Sequence, residues 1–300
     1  MQNAETVLDV LRERGRQGLP LDELYRQLFN PQLYLLAYGR IYSNKGAMTP
    51  GPDAETADGM TLGKIERIID ALRHERYRFK PVKRVYIPKK DGKQRPLGLP
   101  SWSDKLVGEV VRLLLEAYYE PQFSDHSHGY RLGRGCHTAL REVAHTWTGT
   151  TWFIEGDISR CFDRLDHQVM LATLGEKIHD NRLLRLVSQM LAAGYLEDWV
   201  WNATLSGAPQ GGVLSPCLSN IYGSPLRLGV TSLSRRREIP AIRPLRDRSS
   251  AIASCTPRER APSHSVRNFR GLLRPADPLH VDGPRFQLQA PPQRPAKGRQ

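Results

Sequence analysis

Apolar residues recur with helical spacing over most of the stretch between residues 21 and 223. Side chains three and four positions apart share one face of a helix, so this spacing predicts a series of amphipathic helices. The predicted helices are Leu21–Tyr42 (as one or two short helices), Thr61–Glu75, Asp104–Tyr119, His137–Trp147, Asp166–Lys177, Asn181–Ala193 and the start of another at Ser215–Tyr222. Ser101 or Ser103 is a candidate N-cap for the third of these helices, and Asp166 for the fifth.

Strand-like segments are interspersed with these helices. The strongest signal is a pair of short runs separated by Asp91-Gly92, a dipeptide that favours tight β-hairpin turns. The predicted strands are Val82–Pro88, Gln94–Leu99, Thr151–Asp157 and, with a weaker pattern, Trp199–Leu205. This mixture, which shows no internal repeat, predicts an α+β fold.

The periodic pattern stops near Tyr222, and residues 224–300 are rich in proline, arginine and serine. Such a segment buries too little apolar surface to offset its ordering entropy, so we expect it to be mostly disordered. An alternative interpretation is that it is translated from a shifted reading frame. The tail holds 16 Lys and Arg against 5 Asp and Glu, and therefore +11 of the formal net charge of +13. Any argument for nucleic-acid binding must therefore come from motifs in the rest of the chain.

Cysteine and histidine positions indicate neither a zinc site nor a disulfide framework. The four cysteines form no C-x-x-C pair. His126 and His128 flank Ser127 without further ligands, which is more typical of loop residues than of a metal site. The first residues lack the apolar core of a signal peptide, and no run approaches the roughly 18 apolar residues of a membrane span. We expect a cytoplasmic protein with no membrane partner.

Asp157 ends the apolar run TWFIEGD, so a strand would hold its carboxylate rigidly at the edge of a sheet. Mg²⁺ prefers oxygen ligands, and two such ions can stabilise both the attacking and the leaving oxygen of a phosphoryl transfer. Phe162 follows five residues later and could pack beneath a sugar, where it would clash with a 2′-hydroxyl. Taken singly, each residue favours a plainer interpretation: a cap or surface carboxylate for Asp157, and a core side chain for Phe162.

Two further segments combine a glycine turn with polar side chains. In APQGGVLSP, adjacent glycines allow the backbone to approach a substrate closely, and Gln210 offers a donor and an acceptor beside them. In IPKKDGKQRPLGLP, a stiff hairpin presents the cations Lys89, Lys90, Lys93 and Arg95. Arginine suits bidentate phosphate contacts, whereas lysine acts as a mobile point charge. Alone, these segments are an ordinary glycine-rich turn and a solvated hairpin.

The segments KKDGKQRPLGLP, DISRCF and PQGGVLSP, in this order and at these separations, closely resemble the reverse transcriptases of group II introns. NKGAMTPGPDAE and HGYRLGRGCHTAL resemble the same family, and the resemblance covers residues 20–223. It implies a right-hand polymerase fold. The N-terminal extension would span residues 1–60, the fingers and part of the palm residues 61–223, and the basic tail residues 224–300.

The resemblance also implies an activity, the copying of RNA into DNA with Mg²⁺ as cofactor. Asp157 matches the first metal-binding carboxylate and is the expected catalytic residue. The backbone carbonyl of Ile158 lies where a second metal ligand from the same strand is expected. Lys89 and Arg95 match the fingers residues that hold the incoming triphosphate.

The remaining matches concern the nucleotide and its partners. Phe162 matches the aromatic residue that senses the sugar, and Gln210 matches the loop residue that contacts the nucleotide and the template pair. The implied partners are intron RNA as template, a DNA primer and dNTPs. Many members of the family are also maturases, which bind their intron RNA and help it splice.

The chain departs from the family pattern because it contains no Asp-Asp dipeptide. The family carries a second palm strand with aromatic–x–Asp–Asp, several tens of residues after the helix that begins at Ser215. One interpretation is therefore a truncated, inactive reverse transcriptase, whose missing strand would leave a bare sheet edge beside Asp157. A second is a non-catalytic fragment that binds intron RNA. A third is an enzyme completed by a dimer partner or a second polypeptide in trans. Retron-type and CRISPR-associated reverse transcriptases remain alternative relatives.

Overall fold

The computed structural model describes residues 3–44, 46, 48–53, 55–88, 92, 94–148, 153–158, 161–208, 211–224 and 285–289, with the backbone alone in 153–157 and 285–289. The chain forms two compact units, one of residues 1–146 with 160–229 and the other of residues 147–159 with 230–300. None of the described helices is long and apolar enough to cross a membrane.

Helices make up most of the first unit. They are α1 (Ala4–Arg16), α2 (Pro31–Tyr42), α3 (Leu62–Arg73), α4 (Trp102–Tyr119), α5 (Cys136–Thr146), α6 (His167–Gly175), α7 (Asn181–Leu191) and α8 (residues 215–224), with 3-10 turns at Leu24–Phe29, Ala57–Gly59 and Glu120–Gln122. The seven predicted helical segments are confirmed, with ends that differ by a few residues. Helix α1 was not predicted, although Val7, Leu8 and Leu11 are buried at helical spacing.

Helix α4 is the centre of the core and is apolar on most of its circumference. Its cap is Ser101 rather than Ser103, because the Ser101 hydroxyl accepts a hydrogen bond from the Asp104 amide at 3.2 Å. Helices α1 and α2 both pack against α4. The approach of α1 is so close that a Cβ added to Gly15 would lie 2.0 Å from the carbonyl oxygen of Tyr118.

A four-stranded sheet with the order β2-β1-β4-β5 completes the first unit. The strands are β1 (Val82–Pro88), β2 (Gln94–Leu99), β4 (Tyr195–Glu197) and β5 (Val200–Asn202). Strand β3 (Phe153–Asp157) lies between β2 and β4 in the sequence and belongs to the second unit. The predicted hairpin of β1 and β2 is confirmed with the predicted bounds, and Gly92 adopts φ +76° in its turn. Strand β4 was not predicted, and it pairs parallel with β1. The predicted strand Trp199–Leu205 is wrong at both ends, because residue 199 lies in the turn before β5 and the strand ends at Asn202.

The second unit contains strand β3 (Phe153–Asp157), which pairs antiparallel with β6 (Arg285–Gln289). Residues 151 and 152 of the predicted strand lie outside the described residues. Strand β6 pairs along one edge of β3, with Asp157 opposite Arg285. The prediction of a bare edge where a second palm strand would lie stays a prediction. The prediction of disorder for residues 224–300 falls mostly on residues outside the described ones.

Backbone hydrogen bonds join the N-terminal segment to the chain near residue 178. The Leu21 amide donates to the carbonyl of Lys177 at 2.8 Å, and the His179 amide donates to the carbonyl of Leu21 at 2.8 Å. A carboxylate oxygen of Asp180 accepts from the Tyr25 amide at 2.8 Å. The division between residues 60 and 61 stays a prediction, and the N-terminal segment is built into the same core as α7.

Candidate nucleotide-binding site

The glycine loop before α8 is attached to the turn that carries Phe162. The Ala208 amide donates to the carbonyl of Phe162 at 2.8 Å, and the Gly207 amide donates to the carbonyl of Leu165 at 2.7 Å. Gly207 adopts φ +88°, and an added Cβ would lie 2.8 Å from the carbonyl oxygens of Phe162 and Asp163. Only glycine fits there, because both the left-handed backbone and the close approach exclude a side chain.

The other end of the same loop packs on the β1–β2 hairpin. Gly211 adopts φ +103°, and a Cβ at this position would lie 2.7 Å from the carbonyl oxygen of Gly98 and 2.8 Å from Cδ1 of Leu97. Both of these residues belong to β2. The loop therefore bridges the Phe162 turn and strand β2 through two glycines. Gln210 stands between these two glycines in the sequence and lies outside the described residues.

Phe162 is half-buried, and its ring meets Tyr130 edge to face, with ring centroids 6.1 Å apart. Tyr130 comes from the GYRLGRG segment and has a positive φ of 57°, which is uncommon for an aromatic residue. The Asn220 side chain of α8 donates to the carbonyl of Gly129 at 2.9 Å, so the segment is held beside the Phe162 turn. Sequence reasoning missed Tyr130 as the partner of Phe162, because single-sequence patterns carry no signal for such a contact.

Arg95 stands on β2, opposite Ile87 of β1, and its side chain is exposed. Residues two apart on a strand share a face, so Arg95 projects from the same face as Leu97, the residue that meets Gly211. The glycine loop therefore contacts the Phe162 turn at one end and, at the other, Leu97, which shares a strand face with Arg95. Lys89 lies outside the described residues. The nucleotide-binding roles of these residues remain predictions.

Asp157 and Ile158 belong to the second unit. Asp157 is the last residue of β3, as predicted, and the Ile158 side chain is exposed. They supply one carboxylate and one carbonyl, and the described part of the chain holds no group of three His, Cys, Asp or Glu suited to a metal ion. This donor set is too small for a two-metal centre, for which the resemblance implies further carboxylates on a second strand.

His126 and His128 lie beside Glu142 of α5, within the first unit. His128 Nε2 lies 2.6 Å from Glu142 Oε2, and His126 Nδ1 contacts the other carboxylate oxygen. Hydrogen bonds from His126 and then His128 lower the pKa of Glu142. Both histidines thus fix a loop to a helix, in agreement with the expectation that they are loop residues.

Comparisons with known proteins extend over most of the first unit. A family model described as reverse transcriptase (RNA-dependent DNA polymerase) matches residues 87–230. The group II intron-encoded protein LtrA of Lactococcus lactis subsp. cremoris is 48% identical over 245 residues, which cover 80% of this chain and 41% of LtrA. An uncharacterized 91 kDa protein in the cob intron of Schizosaccharomyces pombe is 43% identical over 225 residues, which cover 74% of this chain and 28% of the relative. The chain thus spans less than half the length of these two relatives.

A chain of a partial Cas6-RT-Cas1–Cas2 complex superposes with a TM-score of 0.47 at 18% identity. The superposition covers 70% of the present chain and 35% of that chain.

Proposed function

The chain belongs to the group II intron reverse transcriptase and maturase family, and we propose that it supplies the fingers and the first palm strand of an enzyme that copies RNA into DNA. The observation that supports this role is the glycine bridge, in which Gly207 contacts the Phe162 turn and Gly211 contacts β2. The bridge gives the loop around Gln210 two rigid ends. A nucleotide held there would meet an aromatic ring, an amide and a guanidinium.

Each of these groups has a distinct task in the proposed function. Arg95 would bind the triphosphate with two parallel hydrogen bonds, because its guanidinium matches phosphate geometry. Phe162, fixed by Tyr130 and by its own carbonyl, would pack against the sugar. Gln210 would contact the nucleotide and the template pair. Asp157 and Ile158 would provide metal ligands once a second carboxylate strand is present, and Mg²⁺ would then supply electrostatic stabilisation.

We further propose that these 300 residues alone do not polymerise DNA, because they contain no Asp-Asp dipeptide to complete the metal site. Primer extension on an RNA template with Mg²⁺ and dNTPs should therefore give no product. Adding a polypeptide that carries the aromatic–x–Asp–Asp strand of a relative should restore extension if the enzyme is completed in trans. In that mixture Arg95→Ala should slow extension. Extension by the chain alone that is lost in Asp157→Ala would refute the proposal of inactivity.

The second candidate function is a non-catalytic one, the binding of intron RNA. The observation that favours it is the hydrophobic core of the first unit, which includes buried residues from Ala4 in α1 to Ile221 in α8. Such a unit can present a stable surface to RNA.

The binding function predicts salt-dependent affinity. Between about 50 and 200 mM salt, the Kd for a transcribed group II intron RNA should rise by at least tenfold, because phosphate contacts release counterions. Electrophoretic mobility shift would measure it, with a structured RNA of equal length as the control. An affinity that is independent of salt, or equal for both RNAs, would exclude an intron-binding role.

A further inference from the structure

The β4–β5 hairpin has an unusual turn. Strands β4 and β5 pair as far as Glu197 opposite Val200, which leaves Asp198 and Trp199 as a two-residue loop. Both have left-handed backbones, with φ of 51° and 65°. Turns of this type favour Asn-Gly or Asp-Gly, because a side chain at the second position is strained. Here that position carries a tryptophan that is 83% exposed. A strained backbone that carries an exposed indole makes Trp199 a candidate for a binding role.

A second indole stands beside the turn and is held rigidly. Trp201 Nε1 donates to the carbonyl of Ala193 at 3.3 Å. A Cβ added to Gly194 would lie 2.6 Å from that nitrogen, so the indole lies against the Gly194 backbone. Trp201 nevertheless remains 56% exposed. One side of the ring is covered by backbone, and a large part of the ring is open to solvent.

A cation lies in the same row of the sheet. The register pairs Trp201 of β5 with Leu196 of β4, and Leu196 with Lys83 of β1. Paired residues in neighbouring strands project from the same face, so Lys83 and Trp201 share a face at about 10 Å, two strand spacings apart. Lys83 is exposed, and the described residues offer it no ion-pair partner.

Of the two acidic residues of the hairpin, Asp198 lies in the turn and Glu197 is engaged on the opposite face. Glu197 accepts a hydrogen bond from the Tyr86 hydroxyl and lies 3.7 Å from the Arg84 guanidinium. Arg84 also stacks over the Tyr195 ring at 3.3 Å. The Glu197 carboxylate therefore does not offset the charge of Lys83. We call the face formed by Lys83, Leu196 and Trp201, with Trp199 at its tip, the indole–lysine face.

We infer that the indole–lysine face binds unpaired single-stranded RNA, with one base stacked on each indole and a phosphate on Lys83. Stacking on exposed aromatic rings beside a cation is the usual way in which proteins hold single strands, and it tolerates any base. The choice of RNA rests on the proposed function. Charge complementarity with the unpaired lysine favours a nucleic acid over an apolar protein partner.

The test measures fluorescence anisotropy of a labelled, unstructured RNA of about 12 nucleotides with the full chain. Trp199→Gly should raise the Kd about tenfold, because one base loses its stacking partner. Glycine suits the left-handed turn, so this variant keeps the hairpin folded. Trp199→Tyr should retain most of the affinity. Lys83→Gln should weaken binding and reduce the salt slope by about 0.7, whereas Lys83→Arg should not.

The control is Trp147→Ala, which removes another half-exposed indole and should leave the Kd unchanged. Unchanged binding of the single strand in Trp199→Gly would overturn the inference, as would a loss of equal size in Trp147→Ala. Dissociation of a dimer by Trp199→Gly, without any change in RNA affinity, would make the hairpin a protein interface and also overturn it. Each of these three results leaves salt-dependent binding of intron RNA intact, so the proposed function would stand independently.

Discussion

Replacing Gly15 by alanine is expected to lower the free energy of unfolding by about 3 kcal/mol, because the added methyl group overpacks a contact with main chain. Its Cβ would lie 2.0 Å from the carbonyl oxygen of Tyr118 and 3.0 Å from the carbonyl carbon. Side chains can rotate away from such a clash, whereas the backbone of α4 in the middle of the core cannot. Helix α1 must therefore move off α4, and the burial of Val7, Leu8 and Leu11 is weakened.

The matched control is Gly39→Ala in α2, where an added Cβ would meet nothing within 4 Å. Alanine is the better helix former, so this variant should gain about 0.5–1 kcal/mol. Urea unfolding followed by circular dichroism measures both changes. A loss below about 1 kcal/mol for Gly15→Ala would mean that α1 is not packed against α4 as closely as described.

The second large effect is expected at Arg112, where Arg112→Met should cost about 3–5 kcal/mol. The Arg112 guanidinium donates to both carboxylate oxygens of Glu109, at 2.6 and 2.7 Å, and to Glu116 at 2.9 Å. Glu109 is only 1% exposed. Hydrogen bonding to Glu109 raises the pKa of Arg112, so the guanidinium stays charged throughout the accessible pH range. Removing it leaves a carboxylate buried without its cation.

The chain contains a control with the same spacing along a helix. Arg12 pairs with Asp9, also three residues away, but the two side chains are 38% and 70% exposed. Arg12→Met should change the stability by no more than about 0.5 kcal/mol, because exposed ion pairs contribute little. A double variant, Arg112→Met with Glu109→Leu, should recover most of the loss, because no charge is then left buried. Equal effects of Arg112→Met and Arg12→Met would show that burial does not decide the cost.

The sequence predicted those elements whose signals are local. The β1–β2 hairpin was predicted with its observed bounds, because alternation and an Asp-Gly turn specify it together. Asp166 caps α6 as predicted, since its carboxylate accepts from the amides of Gln168 and Val169. Strand β4 was missed, because three residues are too few to show a period. The true start of β5 was missed because a tryptophan in a left-handed turn contradicts turn preferences.

The candidate site shows the same limit. Motif order was sufficient to predict the family, and residue types were sufficient to nominate Phe162 and Arg95. The contacts that bring them together could not be predicted, because Gly207 and Gly211 reach residues far away in the sequence. Glycines in a loop predict a close approach of the backbone to another group, but they do not identify that group. Lys89 and Gln210 lie outside the described residues, so their predicted roles stay predictions.

The backbone hydrogen bonds that join Leu21 to the chain on either side of Ile178 have a consequence for synthesis on the ribosome. The N-terminal segment leaves the ribosome first, yet 157 residues separate Leu21 from its backbone partners around Ile178. Synthesis adds about 5–20 residues per second, so roughly 8–30 s pass between the emergence of Leu21 and that of Ile178. During this time α1 and the segment after it lack part of the core that α4 and α7 later provide. Apolar residues such as Leu8, Leu24 and Tyr25 stay uncovered during that interval. The growing chain should therefore depend on chaperones that shield its N-terminus until α7 has emerged.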